Sequence, residues 1–295
     1  MSDIRKDSGG IVSAWIFVVG RKVRRRFYLM MRVNSSLDLK AKTLAVGILS
    51  IGMGGMLCHA AELPPSTAIP VVFTHTIDAG KANSGTPVVA KTMQIVLLPS
   101  GQILPRGTPV VGHVVDSQPF NFDPAPYANQ PPSYISVRFD RIVTKGIEIP
   151  LNVSVRALAN TIASNDAQTP HYLDETDSKG TIVQIGGDQY SPIGKEVLSS
   201  GGDIVGYTRK QGIFARLISN AYVSRYASFP CGSTNSEQSV AIFSASACGV
   251  YGFDSIYMPE NGRNGSGTFR LESRHHTVAL YAGSAALLEV NGPQP

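Results

Sequence analysis

YISVRFDRIV, residues 134–143, alternates apolar and polar side chains, with Ile135, Val137 and Phe139 on one side of an extended chain and Ser136, Arg138 and Asp140 on the other. A period of two marks a half-buried strand, one face on a core and the other in water. Lys145-Gly146 supplies a turn, and IEIPLNVSVRAL, residues 147–158, resumes the alternation, so the two runs are expected to form a hairpin.

The flanking sequence has the same character. Val71-Val72-Phe73 is strand-like and precedes a Gly/Asn/Ser turn cluster over residues 80–85. PVVAKTMQIVLL (87–98) and ILPRGTPVVGHVV (103–115) are β-rich runs split by Pro99-Ser100-Gly101-Gln102, a second hairpin or meander. Towards the C-terminus, TVALY (277–281) and AALLEV (285–290) give two closing strands around Ala282-Gly283-Ser284. Residues 117–132 contain five prolines with aromatic residues between them and read as an exposed loop, while 160–180 and 259–267 are polar loops. Only IFARLISNAYVSRY (213–226), with apolar residues three and four apart, suggests a short helix. Charged residues make up 16% of the chain, and its 29 glycines and 19 prolines suit short strands joined by turns better than long surface helices. The expected fold is all-β, a β-barrel or sandwich-like domain with long loops and at most one short helix.

The formal charge of +5 invites a nucleic-acid reading, and its distribution removes it. Residues 1–61 carry ten Lys/Arg against three Asp/Glu; residues 62–295 carry sixteen against eighteen. Beyond Glu62 the basic residues, among them Lys91, Arg106, Arg138 and Arg156, are scattered and form no stripe that would release counterions from phosphates.

The leader has the layout of a secretory signal. Arg32, Lys40 and Lys42 precede an apolar run from Thr43 to Cys58, followed by Ala60 and Ala61. The run is shorter than the ~20 residues of a spanning helix. Residues 31–61 are therefore expected to be a signal peptide cleaved near Ala60 or Ala61, with an uncleaved signal anchor as the alternative, and residues 1–30 a non-native or mis-set extension. Residues 62–295 would then be one β-rich domain, periplasmic or associated with the outer membrane. Cys231 and Cys248 remain in it, an even count that implies a disulfide in an oxidising compartment; the alternative is two buried thiols.

TPVVA (86–90), LPSGQILPRGT (98–108) and VGHV (111–114), followed by ISVRFDRIV (135–143), Gly146 and IPL (149–151), and finally VALYAGS (278–284), resemble the core of conjugation and type IV secretion channel proteins of the VirB10/TrbI family. The resemblance covers Thr86 to Leu151 and the closing strand. It implies a β-barrel in the envelope that acts by assembling with other subunits, and it brings no catalytic residue. The family's pore-forming helical hairpin has one candidate here, Ile213–Tyr226, a single segment carrying Arg216 and Arg225, so no pore is expected.

No catalytic constellation stands out. His275 and His276 are adjacent, so on a regular strand they would point to opposite faces and could not share a metal. His75, His113 and His171 are isolated, and Asp174, Glu175 and Asp177 read as a solvated acidic loop, with a divalent cation as the sharper alternative. No metal and no cofactor are expected. Three functions compete. The first is a structural or scaffolding envelope component, partnered by other envelope proteins or by copies of itself and compatible with a membrane surface. The second is a binding module presenting Phe120, Phe122, Tyr127 and Tyr134 to a glycan, peptide or lipid, in which alanine at all four would abolish ligand retention. The third is a cryptic hydrolase whose turnover would depend on His275 or His276.

Overall fold

A computed structural model describes residues 63–292 apart from 99–101, 125, 127–128, 173–179, 221–229 and 260–266. The leader, Tyr127 and the acidic cluster at 174–177 lie outside the described residues. The main sheet runs in the order β16 (Gly249–Tyr251), β9 (Val153–Ala159), β19 (Ala285–Val290), β1 (Ala68–Phe73), β3 (Pro87–Thr92), β6 (Pro109–Gln118), β7 (Ser133–Thr144) and β17 (Thr268–Ser273), with β8 (Ile147–Pro150) also paired to β7. All its pairs are antiparallel except β16 with β9. A second sheet follows the order β10 (Ile182–Val183), β11 (Gln189–Tyr190), β12 (Glu196–Leu198), β13 (Ile204–Arg209), β14 (Gly212–Arg216) and β15 (Glu237–Ser239). Two short ribbons pair β2 (Ile77–Asp78) with β18 (Ala279–Leu280) and β4 (Val96–Leu97) with β5 (Ile103–Leu104), and α1 (Thr161–Asp166) is the one helix among the described residues. The all-β expectation holds.

The main sheet curls until β17 comes back against β9. Phe73 on β1, Phe139 on β7 and Phe269 on β17 are not on neighbouring strands, except the last two, yet their rings meet inside, with centroids 5.9 Å (Phe73–Phe139) and 6.1 Å (Phe139–Phe269) apart. These rings, with Ile69, Val71, Val137, Ile135, Leu158 and Leu288, form the inner core. The alternation of residues 134–143 is realised in part: Ile135, Val137 and Phe139 are buried and Arg138 is exposed, but Ser136, expected on the water face, is buried where β6 and β17 flank it. A close approach sharpens the curl at Gly112, where the β6–β7 register shifts and an added Cβ would lie 2.1 Å from the Arg138 carbonyl oxygen.

β1, β9 and β19 are buried on both faces. Their outward residues, including Ala68, Ala157, Ala159, Ala285 and Leu287, pack with Ala215, Leu217, Val240, Ile242 and Phe243 of the chain that forms the second sheet and the segment after it. Small alanines let the backbones approach, and glutamines fasten the contact. Gln94 donates to Ile213 O (2.7 Å) and Ser239 Oγ (2.6 Å) and accepts from Ile213 N (2.9 Å), while Gln238 Oε1 accepts from Ala68 N (2.9 Å).

Several expectations need correction. The described part of the helix expected over Ile213–Tyr226 is not helical: Gly212–Arg216 is strand β14, paired with β13 and β15, and Asn220 bridges to Cys231. Residues 221–226 are outside the described set. The hairpin expected over residues 134–158 is also shorter than expected, because the run 147–158 breaks at Leu151-Asn152. β8 pairs back on β7, whereas β9 leaves for β19 and β16. Residues 160–180 hold α1, whose Asn160 cap accepts the Ala163 amide at 2.8 Å, and Ser117–Gln118 extend β6 into the expected loop. Among the described residues no helix is long and apolar enough to cross a membrane.

Candidate functional site

β6 and β7 are joined at one end of the barrel by the proline-rich loop, and the strands there set its geometry. Gln118 pairs with Tyr134, and Ser133 Oγ donates to Gln118 O (2.8 Å) while accepting from Val278 N (2.9 Å), tying the loop base to the closing segment. Proline denies the loop a ladder of its own, so side chains hold it. Gln130, 6% exposed, accepts from Asp123 N at 3.1 Å and donates back to Asp123 O. Phe120 N donates to Thr277 Oγ1 at 3.1 Å. Between these anchors Phe122 is 79% exposed.

Beneath the loop, three strands line up a polar and aromatic cluster. Tyr134 on β7 donates its hydroxyl to Asp116 Oδ2 on β6 (2.8 Å), and the Arg270 guanidinium on β17 sits 3.5 Å from its ring centroid. Arg270 Nε also donates to Glu272 Oε1 (2.6 Å), and Glu272 Oε2 accepts the Tyr257 hydroxyl (2.8 Å). The hydrogen bond to Asp116 pushes the Tyr134 phenol above its ordinary value, with burial and the Asp116 charge acting in the same direction. Burial, then the bond to Glu272, does the same for Tyr257, against the opposing pull of Arg274. Both phenols are thereby held as neutral donors. The cluster is a cation over a ring with its carboxylates already engaged.

The four aromatic residues singled out from sequence fare differently. Phe122 is presented to solvent, Phe120 is half-buried, and Tyr134 has one ring face taken by Arg270, so the three are not one continuous aromatic patch. Tyr127 lies outside the described residues. His275 and His276 sit in the turn after β17, where Ser273 Oγ accepts both backbone amides (3.2 and 3.4 Å). Each ring nitrogen of His276 faces a backbone carbonyl, Thr277 O at 3.2 Å and Asp254 O at 2.9 Å, which occupies the positions a metal would need. Among the described residues no group of three His, Cys, Asp or Glu side chains is placed to hold a metal ion.

Cys231 and Cys248 are joined, with S–S 2.06 Å and Cα–Cα 6.0 Å. A disulfide of this kind fits an oxidising environment. Arg156, a residue the sequence reading passed over as one scattered base, lies beside it with no exposed surface. Its signal was an arginine inside an otherwise apolar alternating run. Gln130 carried no signal, because a loop-closing amide is distinguished only by its partner across the loop. No family model matches the chain, and neither a curated protein nor a solved structure matches it.

Proposed function

We propose that the chain is a non-catalytic, exported envelope component that works by assembly, using the β6–β7 loop as a contact surface. One observation carries this reading: Phe122 is held out in water on a loop that Gln130 and Thr277 pin at both sides. An exposed large aromatic residue on a fixed support is the form of an interface anchor, because little ordering entropy remains to be lost on contact. The disulfide supports an exported location, and the resemblance of residues 86–151 to the VirB10/TrbI channel core supports a β-barrel that associates with copies of itself or with other envelope proteins. Light scattering of the full chain across a concentration series tests it. A discrete high-order species in the wild type, dissociated by Phe122→Ser, is the expected result. A monomer at every concentration overturns self-assembly and favours the second reading, in which the same loop, with Phe120, Phe122 and the Tyr134–Arg270 pair, takes a peptide, glycan or lipid.

A further inference from the structure

β9 pairs with β19 through a register shift in which Leu287 faces Ala157 and Leu288 faces Val155, so Arg156 is the extra residue of a bulge. The bulge aims its side chain away from the inner core into a cage of carbonyl oxygens. Nε donates to Ala247 O (3.0 Å), Nη1 to Gly232 O (2.6 Å) and Nη2 to Ile218 O (2.7 Å), while Glu289 Oε2 lies 3.5 Å from Nη1. Burial pulls the guanidinium below its ordinary value and Glu289 opposes that, so the carbonyls and the carboxylate are what make the charge tolerable there.

Two of the three carbonyls have a position in sequence that matters. Gly232 follows Cys231 and Ala247 precedes Cys248. The planar fork therefore grips the chain next to each half-cystine. Cys231 is further held by reciprocal backbone bonds with Asn220 (3.1 and 3.0 Å), and Cys248 N donates to the Tyr251 hydroxyl at 2.9 Å.

We propose that Arg156 is the template on which the disulfide closes: the guanidinium sets the two cysteines side by side in the reduced protein, and the bond is a reversible latch over a site that is already formed. Closure with a small disulfide such as oxidised glutathione balances directly. One cysteine thiolate attacks a glutathione sulfur, releasing one glutathione and leaving a mixed disulfide. The second cysteine thiolate then displaces the other glutathione, so the two thiols lose two protons and two electrons and the oxidant becomes two reduced glutathiones. Templating raises the effective concentration of one thiol at the other and leaves this chemistry unchanged.

The test is the thiol–disulfide equilibrium of the full chain in glutathione buffers, in a Cys58→Ser background so that Cys231 and Cys248 alone titrate. Lysine keeps the charge and loses the fork, so Arg156→Lys is expected to lower the effective concentration by about tenfold or more. An unchanged value in a folded Arg156→Lys protein overturns the proposal and assigns the apposition to the strand framework. Should that variant fail to fold, hydrogen exchange in the reduced wild type decides. Retained protection of the Asn220 and Cys231 amides is expected; protection lost on reduction shows that the bond makes the site, and overturns the template.

Discussion

Asp188 follows the Gly186-Gly187 turn, buried, and accepts the Ala245 amide at 2.8 Å. Burial raises its carboxyl above the usual range, and the amide bond opposes this only in part. The folded protein therefore holds this proton to a higher pH than the unfolded chain does. The stabilisation is complete below the ordinary carboxylate range and is lost as pH rises through the folded value. Asparagine keeps an acceptor for Ala245 N and cannot ionise, so Asp188→Asn is expected to raise the denaturation midpoint at neutral pH and to match the wild type in acid. Urea titrations at several pH values check this, and a wild type more stable than Asp188→Asn at neutral pH contradicts it. Gly112 makes a steric counterpart. With the Arg138 carbonyl in the way of any Cβ, Gly112→Ala must move backbone rather than a side chain and should cost about 1 to 3 kcal/mol in the same titration.

Elements here were legible where one face meets water and illegible where both are covered. β7 stayed legible because Arg138 remains outside and Asp140 half-exposed while Ile135, Val137 and Phe139 go in, although Ser136 is covered too. β14 lost it: Phe214 and Ala215 point to opposite faces, yet both are buried, and Ile213 and Leu217 pack on the second cluster. A short strand covered on two sides spaces its apolar residues much as a helix does, which is how 213–226 came to read as one. The cysteine pair was legible from parity and compartment alone. Arg156, Gln94 and Gln130 were not, since their partners are carbonyls and amides that only the fold brings near. The loop element yields a prediction of its own. Gln130→Ala removes the clamp on Asp123 without touching the barrel, so a protease should cut within residues 119–132 roughly tenfold faster, the equivalent of one lost buried hydrogen bond. Denaturant stability of the barrel should stay near that of the wild type. Unchanged cleavage would mean that Thr277 and the prolines hold the loop by themselves.

For the molecule as a whole, the two apolar clusters are not separable by cutting between sheets, because β1, β9 and β19 carry the inner core on one face and the second cluster on the other. The described residues accordingly fall in one compact unit. Losing the second sheet would expose Ala68, Ala285 and Leu287 and leave the Gln94 side chain and the Ala68 amide without the partners it supplies, so the barrel has no ready way to persist alone. Shared strands make unfolding cooperative. Phe139→Ala removes a ring from the inner stack and should cost about 3 to 5 kcal/mol; Leu217→Ala opens the outer cluster and should cost about 2 to 5 kcal/mol. Despite acting on opposite faces, both are expected to lower one calorimetric transition, with near-ultraviolet and far-ultraviolet signals still superimposed. Reduction of Cys231–Cys248 should move the same transition by about 3 kcal/mol, since the bond restricts the unfolded chain rather than a separate module. If Leu217→Ala instead split off an early transition while Phe139→Ala shifted only the later one, the second sheet would be an independently folding unit, and its glutamine fastenings would be contacts rather than couplings.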